Sequence, residues 1–176
     1  MKILLVGPPG IGKTTVLVKL AALLADRSLA GFYTEEVRAA GGARVGFRLV
    51  TFAGDEATIA HVDFRGSARV GRYGVDVPMF EALAVPELAR PCDLYLVDEV
   101  GKMECLSQDF VTAMRALLSG PTPVVATVGA RAPGFPEEAR AMGAGKGSEI
   151  ETIEIDHRNR DRLPGEIVSR LFPEGV

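Results

Sequence analysis

A run of eight residues near the start of the chain, Gly7-Pro8-Pro9-Gly10-Ile11-Gly12-Lys13-Thr14, sets three glycines, a lysine and a hydroxyl at fixed offsets. This is the spacing G-x-x-x-x-G-K-[ST] of a phosphate-binding loop. Glycine tolerates positive φ and lets backbone N–H groups face a ligand without a Cβ in the way, so such a loop becomes a concave anion site at a helix N-terminus. Lys13 has the charge and reach for β- and γ-phosphates, and the Thr14 hydroxyl is a ligand for magnesium. The bland alternative is a Gly-rich turn that happens to precede a lysine. The flanks argue against it: a short apolar run over 3–6 precedes the loop and a Leu/Ala-rich helical pattern over 15–25 follows it.

A second acidic signal follows the apolar run Leu94-Tyr95-Leu96-Val97, which ends in Asp98-Glu99. Two carboxylates at the carboxyl end of a buried strand stand at the edge where open α/β sheets bind ligands. Alone, they read as a solvated strand exit. Beside a phosphate-binding loop they read as a Walker B element, with Asp98 holding magnesium through its water shell and Glu99 orienting the attacking water. The second carboxylate favours hydrolysis over phosphoryl transfer to a metabolite. Lys102, one of five lysines, reads either as a second phosphate contact or as a surface lysine before a helix.

These residues need a scaffold, and the chain supplies alternating short apolar runs and helical patterns punctuated by 20 glycines and 11 prolines. Strands are expected over 3–6, 31–37, 93–97, 123–128 and 149–155, and helices over 15–25, 78–89, 107–118 and 164–171, with a short one at 137–142. The stretch 44–52 returns from Gly41-Gly42 as a hairpin. The expected fold class is α/β: a three-layer P-loop NTPase fold, with a mainly parallel sheet, helices on both faces and an antiparallel hairpin portion. The 176 residues fit one domain, 1–176, large enough for a core without disulfides or structural metal.

With 20 basic and 23 acidic residues the net charge is −3, which does not indicate a nucleic-acid coat, although a local basic patch remains open. The apolar fraction of 47% argues against disorder. Cys92 and Cys105 build neither a disulfide framework nor a zinc site. No apolar stretch is long enough for a membrane span, and the opening residues lack a signal-peptide pattern, so a cytoplasmic monomer is expected. His61 and His157 are isolated and read as structural.

Five blocks carry a resemblance: GPPGIGKTT (7–15), GFYTEEVR (31–38), VGRYGVDV (70–77), DEVGKME (98–104) and NRDRLP (159–164). Together they resemble the small nucleoside-triphosphatase family of thermophilic bacteria, archaea and animals, the cancer-related NTPase family. The first block is shared by many P-loop proteins; the other four carry the specificity. The resemblance implies magnesium-dependent hydrolysis of ATP, GTP, CTP, UTP and TTP to the diphosphate and phosphate, with little base preference. It assigns nucleotide contacts to 7–14 and to Thr15, Asp98, Glu99 and Lys102, with Asn159 and Arg160 near the base or phosphates. The stretch 130–147 does not match the family, and Cys105-Leu106-Ser107 departs from its usual Leu-Phe-Ser.

Absences fit weak base preference: no N-K-x-D element reads guanine and no L-S-G-G-Q marks a transporter ATPase. Glu35, Glu36 and Arg38 read equally as site-facing or as a solvated cluster, and Arg72 and Arg160 are candidates for stabilising γ-phosphate charge. Two other functions stay open at this level: a P-loop kinase of a small molecule or nucleic-acid end, and a non-catalytic nucleotide-dependent switch. A kinase needs an added acceptor; a switch binds tightly and turns over slowly.

Overall fold

Alternation along one strand sorts the core into two faces. In β1, Lys2–Gly7, Ile3 and Leu5 pack to one side of the sheet while Leu4 and Val6 pack to the other, all buried. The same holds in β7, Leu94–Val100, where Leu94 and Leu96 join Ile3 and Leu5, and Tyr95 and Val97 join Leu4 and Val6. Such two-sided burial requires helices on both faces. The computed structural model describes residues 1–144 and 148–173 and supplies them. Helices α1, Lys13–Leu23, and α5, Leu163–Leu171, cover one face; α2, Val77–Ala89, α3, Gln108–Ser119, and α4, Phe135–Gly143, cover the other. No helix among the described residues is long and apolar enough to cross a membrane.

The remaining strands are β2, Leu29–Arg38, β3, Arg44–Thr51, β4, Glu56–His61, β5, Arg69–Val70, β6, Tyr73–Val75, β8, Val124–Gly129, and β9, Ile150–Glu154. Their order across the single nine-stranded sheet is β5-β6-β4-β3-β2-β7-β8-β1-β9. From β2 to β9 every pairing is parallel, and from β2 outward to β5 every pairing is antiparallel. The expected α/β class holds, but the antiparallel portion is larger than the one hairpin read from the sequence: β4, β5 and β6 extend it. The short helix expected at 137–142 is α4; of the stretch 130–147, residues 145–147 lie outside the described residues.

Several local devices set the strands in register. Gly31 has φ +108°, and a Cβ there would stand 2.1 Å from the Leu96 carbonyl oxygen, so only glycine permits β2 to approach β7. The buried Glu87 carboxylate accepts from the Gly31 N–H at 3.1 Å and pairs with Arg90 at 2.9 Å, and Arg90 in turn donates to the Leu29 carbonyl at 2.6 Å. This ties the end of α2 to the start of β2. Above it, Phe32, Phe80 and Phe110 pack with ring centroids 5.4 to 6.0 Å apart, joining β2, α2 and α3. Burying each such ring is worth about 1.5–3 kcal/mol. Asp76 caps α2 by accepting from Met79 N, and Ser107 caps α3 by accepting from Phe110 N at 3.0 Å. The Ser107 hydroxyl also donates to Glu81 at 2.7 Å, locking α3 to α2.

Candidate active site

The phosphate-binding loop leaves the carboxyl end of β1 and enters α1 as its spacing requires. Gly10 and Gly12 have φ of +77° and +107°, conformations that L side chains rarely adopt. Gly12 is the N-cap of α1 and offers no side-chain cap, so backbone N–H groups of the first turn are left facing outward. Gly7 is tight for another reason: a Cβ would meet Ile11 at 3.0 Å and the Ile155 carbonyl at 3.3 Å. Lys13, only 7% exposed, donates to the Gly7 and Pro8 carbonyls at 3.2 and 3.4 Å and pairs with Glu99 at 3.3 Å. The loop cation and the second of the two strand-end carboxylates therefore meet, although 86 residues separate them.

Asp98 is the centre of the arrangement. Its carboxylate is 2% exposed and receives the Thr14 hydroxyl at 2.6 Å on one oxygen and the Thr127 hydroxyl at 2.5 Å on the other. The Thr34 backbone N–H also favours its charged form. Segments from α1, β2 and β8 thus bear on this one β7 side chain. Burial pushes the Asp98 carboxyl above the usual carboxylate range, opposed by the Thr127 and Thr14 hydrogen bonds and the Lys13 charge. Glu99 is raised by burial and by neighbouring Asp98, against the pull of Lys13. The peptide joining the two acids is cis, and pairing between β7 and β8 shifts register just there, between Val97 and Val100.

Glu104, which the sequence offered only as a fallback to Glu99 for activating water, adds a third carboxyl. It is 5% exposed, and burial together with the Glu99 and Asp98 charges pushes it up to about 8. A Cβ on Gly101 would stand 2.8 Å from a Glu104 oxygen and 3.0 Å from a Glu99 oxygen, so the two side chains flank that glycine. Thr127 was missed, because one threonine in the apolar run of β8 looks like an ordinary strand residue. Arg140 donates to the Gly129 and Ala132 carbonyls and holds the loop that leaves β8.

The donor set suits a hard cation. Thr14 and Asp98 offer a hydroxyl and a carboxylate oxygen side by side, the kind of pair that holds magnesium together with substrate phosphates. Among the described residues no group of three His, Cys, Asp or Glu side chains could hold a metal unaided.

Beside the loop lies a cleft of about 240 Å³ lined by Gly12, Thr15, Val16, Lys19, Arg160 and Asp161. Arg160 donates to the Ile11 carbonyl at 3.3 Å, and Lys19 pairs with Asp161 at 3.5 Å. Asn159 stands next to this cleft in sequence, but its side chain closes the preceding turn, donating to Glu154 O and accepting from Asp156 N. Asp156 accepts from the Arg158 and Asn159 N–H groups, which lowers its pKa and fixes the turn that presents Arg160.

Other residues singled out from the sequence lie elsewhere. Lys102 lines a second cleft, with Cys105 and Phe135. Glu35 pairs with Arg48, and Glu36 with Arg38 and Arg44, in an exposed ladder on the antiparallel strands. Arg72 donates to the Arg44 carbonyl and the Tyr73 hydroxyl in the same region. His61 accepts from Asp63 N, and His157 is exposed.

Comparison with known proteins places this geometry. A family model described as NTPase matches residues 2–168. The nucleoside-triphosphatase THEP1 of a Thermotoga species is 37% identical over 174 residues, covering 97% of this chain and 95% of that protein. The human cancer-related nucleoside-triphosphatase is 35% identical over 185 residues, covering 95% and 94%. The crystal structure of THEP1 from Aquifex aeolicus superposes with a TM-score of 0.86 at 35% identity, covering 98% of this chain and 99% of that one.

Proposed function

Since the chain belongs to the NTPase family and is a nucleoside-triphosphatase, we propose that it hydrolyses ATP, GTP, CTP, UTP and TTP to the diphosphate and phosphate, with magnesium and little base preference. The observation that carries the residue roles is the convergence on β7: Thr14 and Thr127 on Asp98, and Lys13 on Glu99. In this reading the backbone N–H groups of 7–14 and the Lys13 ammonium bind the phosphates, Lys13 offsetting charge that grows on the β- and γ-phosphates. Thr14 and Asp98 would hold magnesium, which supplies further neutralisation of phosphate charge when bound. Glu99 orients a water in line with the γ-phosphorus and accepts its proton as the new P–O bond forms and the bond to the leaving diphosphate breaks. Its raised pKa makes it a better base than an ordinary exposed glutamate.

Thr15, Val16 and Arg160 frame the cleft that would take the ribose and base. Its walls combine the Gly12 backbone and Val16 with the Thr15 hydroxyl, Arg160 and the Lys19–Asp161 ion pair. Base tolerance follows where phosphate contacts dominate binding and no N-K-x-D element reads guanine, with specificity constants for the nucleotides expected within about one to two decades. A cytoplasmic, monomeric enzyme completes the proposal, consistent with the free thiols of Cys92 and Cys105.

The test is Glu99→Gln, which keeps shape but removes the charge that draws off the proton. Nucleotide affinity should stay near native while the chemical step slows by about 10² to 10⁴. Hydrolysis at the parent rate with lost binding would instead assign Glu99 to structure or metal.

A further inference from the structure

We propose that the second cleft, between the start of α3 and the start of α4, is a binding site for a small organic anion, a phosphate or carboxylate on an apolar body, separate from the phosphate-binding loop.

The cleft measures about 380 Å³, within the range of about 300–1,000 Å³ that small-molecule sites occupy. It shares no lining residue with the cleft beside the loop. Lys102 contributes a positive charge to its lining and Arg115 a guanidinium paired with Glu138, with the Gln108 amide between them in sequence, and no carboxylate is among the lining residues. The walls are completed by Val111, Pro133 and Phe135, which would cover an apolar group. The loop-side cleft is different, since there a carboxylate, Asp161, lines the cleft itself and pairs with Lys19.

The cations differ in how far they are committed. Four lysines fall among the described residues. Lys2 donates to the Gly120 carbonyl, Lys13 contacts the loop carbonyls and Glu99, and Lys19 pairs with Asp161. Lys102 has no hydrogen bond or ion pair among the described residues and stands exposed at the mouth of the cleft. Arg115 gives one nitrogen to Glu138 at 2.5 Å and lies over the Phe135 ring at 5.3 Å, which holds the guanidinium plane in place while leaving further N–H donors. Cys105 adds no opposing charge, because burial pushes its thiol up to about 12 and keeps it neutral. A fixed guanidinium, a free ammonium and an aromatic floor together suit an anion carried by a ring or short chain.

The probes are phenyl phosphate and benzoate, with phenol as the uncharged control, titrated into the full chain while magnesium and a non-hydrolysable ATP analogue saturate the loop. Chemical-shift perturbation or calorimetry reads binding. Saturable binding of one or both anions is expected at a dissociation constant of about 1 mM or tighter, with none for phenol; which anion binds more tightly identifies the headgroup. Lys102→Ala should weaken binding at least about tenfold, and Gln108→Glu, which brings a carboxylate to the wall, by a similar factor. Gln108 is exposed, so that variant should keep the parent Tm and affinity for the analogue. The proposal is overturned if neither anion saturates by about 10 mM, if the analogue displaces the probe, if phenol binds equally well, or if both variants bind like the parent. It is equally overturned if Lys102→Ala loses the analogue and the probe together, since Lys102 would then belong to the nucleotide site.

Discussion

Asp98 and Glu36 are both strand carboxylates that receive hydrogen bonds from two side chains, yet their acidities move in opposite directions. Asp98 sits in the parallel half of the sheet, where burial outweighs the hydroxyls and raises its pKa. Glu36 sits in the antiparallel half, where the Arg44 hydrogen bond, with the Arg38 and Arg44 charges, outweighs burial and lowers it. The antiparallel half spends its charges on exposed pairs, Arg38 and Arg44 with Glu36, and Arg48 with Glu35 and Glu56. The parallel half keeps Lys13, Asp98 and Glu104 nearly out of water. A charge held dry is costly and is worth keeping where chemistry uses it; a charge held wet is nearly free and chiefly keeps a sheet extension soluble.

The sharpest way to break this contrast is Lys13→Ala. It removes the one cation paired with Glu99 among the described residues and should lower turnover by at least about 10³-fold while weakening triphosphate binding; phosphate release and nucleotide titration check both. A folded Lys13→Ala protein with parent turnover would mean that the dry charges do no chemistry.

Glu104→Gln tests what dryness costs. The carboxyl titrates near 4.5 when exposed and is pushed up to about 8 in the fold, so the native chain holds this proton more tightly than the unfolded one. Stability from this group is full at low pH, falls as pH rises from about 4.5 towards 8, and then levels off. The glutamine variant should therefore match the parent near pH 4 and exceed it at pH 7 by on the order of 3 kcal/mol. Urea unfolding in metal-free buffer across that range measures the difference.

Thr127→Val removes a hydroxyl from Asp98 without changing the shape of β8. Turnover should drop about 10- to 100-fold, the range seen when a group that orients a metal ligand is lost, and raised magnesium should recover part of it. In the antiparallel half, a double-mutant cycle on Glu36 and Arg44 should give the smallest effect, a coupling below about 1 kcal/mol that fades with salt, and unchanged turnover.

The two halves also differ in how much of them the sequence reveals. The phosphate-binding loop is legible because its function is local: glycines at positive φ, a lysine and a hydroxyl within eight residues. Asp98-Glu99 is legible through the apolar run before it. Thr127 is not, because its role depends on the register between β7 and β8, including a shift after Val97 that no local pattern signals. Strands β5 and β6 span only two and three residues, too short for an alternation to show, and β4 is largely half-exposed. Glu104 follows a lysine and a methionine in a turn and looks like a surface acid until packing buries it. The family blocks 31–38 and 70–77 were recognisable as strings, but the sequence did not show what they build: the first brings Gly31 against Leu96 and the Thr34 N–H to Asp98, the second puts the Tyr73 hydroxyl between Arg44 and Arg72.

The position of β1 between β8 and β9 has a consequence for how the chain comes into being. Its only partners begin at Val124 and Ile150, so β1 is synthesised before anything it pairs with exists. At roughly 5–20 residues per second a ribosome takes on the order of ten seconds to reach them. Through that interval an all-buried native strand waits with both edges open, while β2, β3 and β4 already have neighbours to pair with. The phosphate-binding loop, which hangs from the end of that strand, gains its frame only when the last third of the chain has emerged, so nucleotide can help stabilise the finished protein but cannot guide the early steps of its folding.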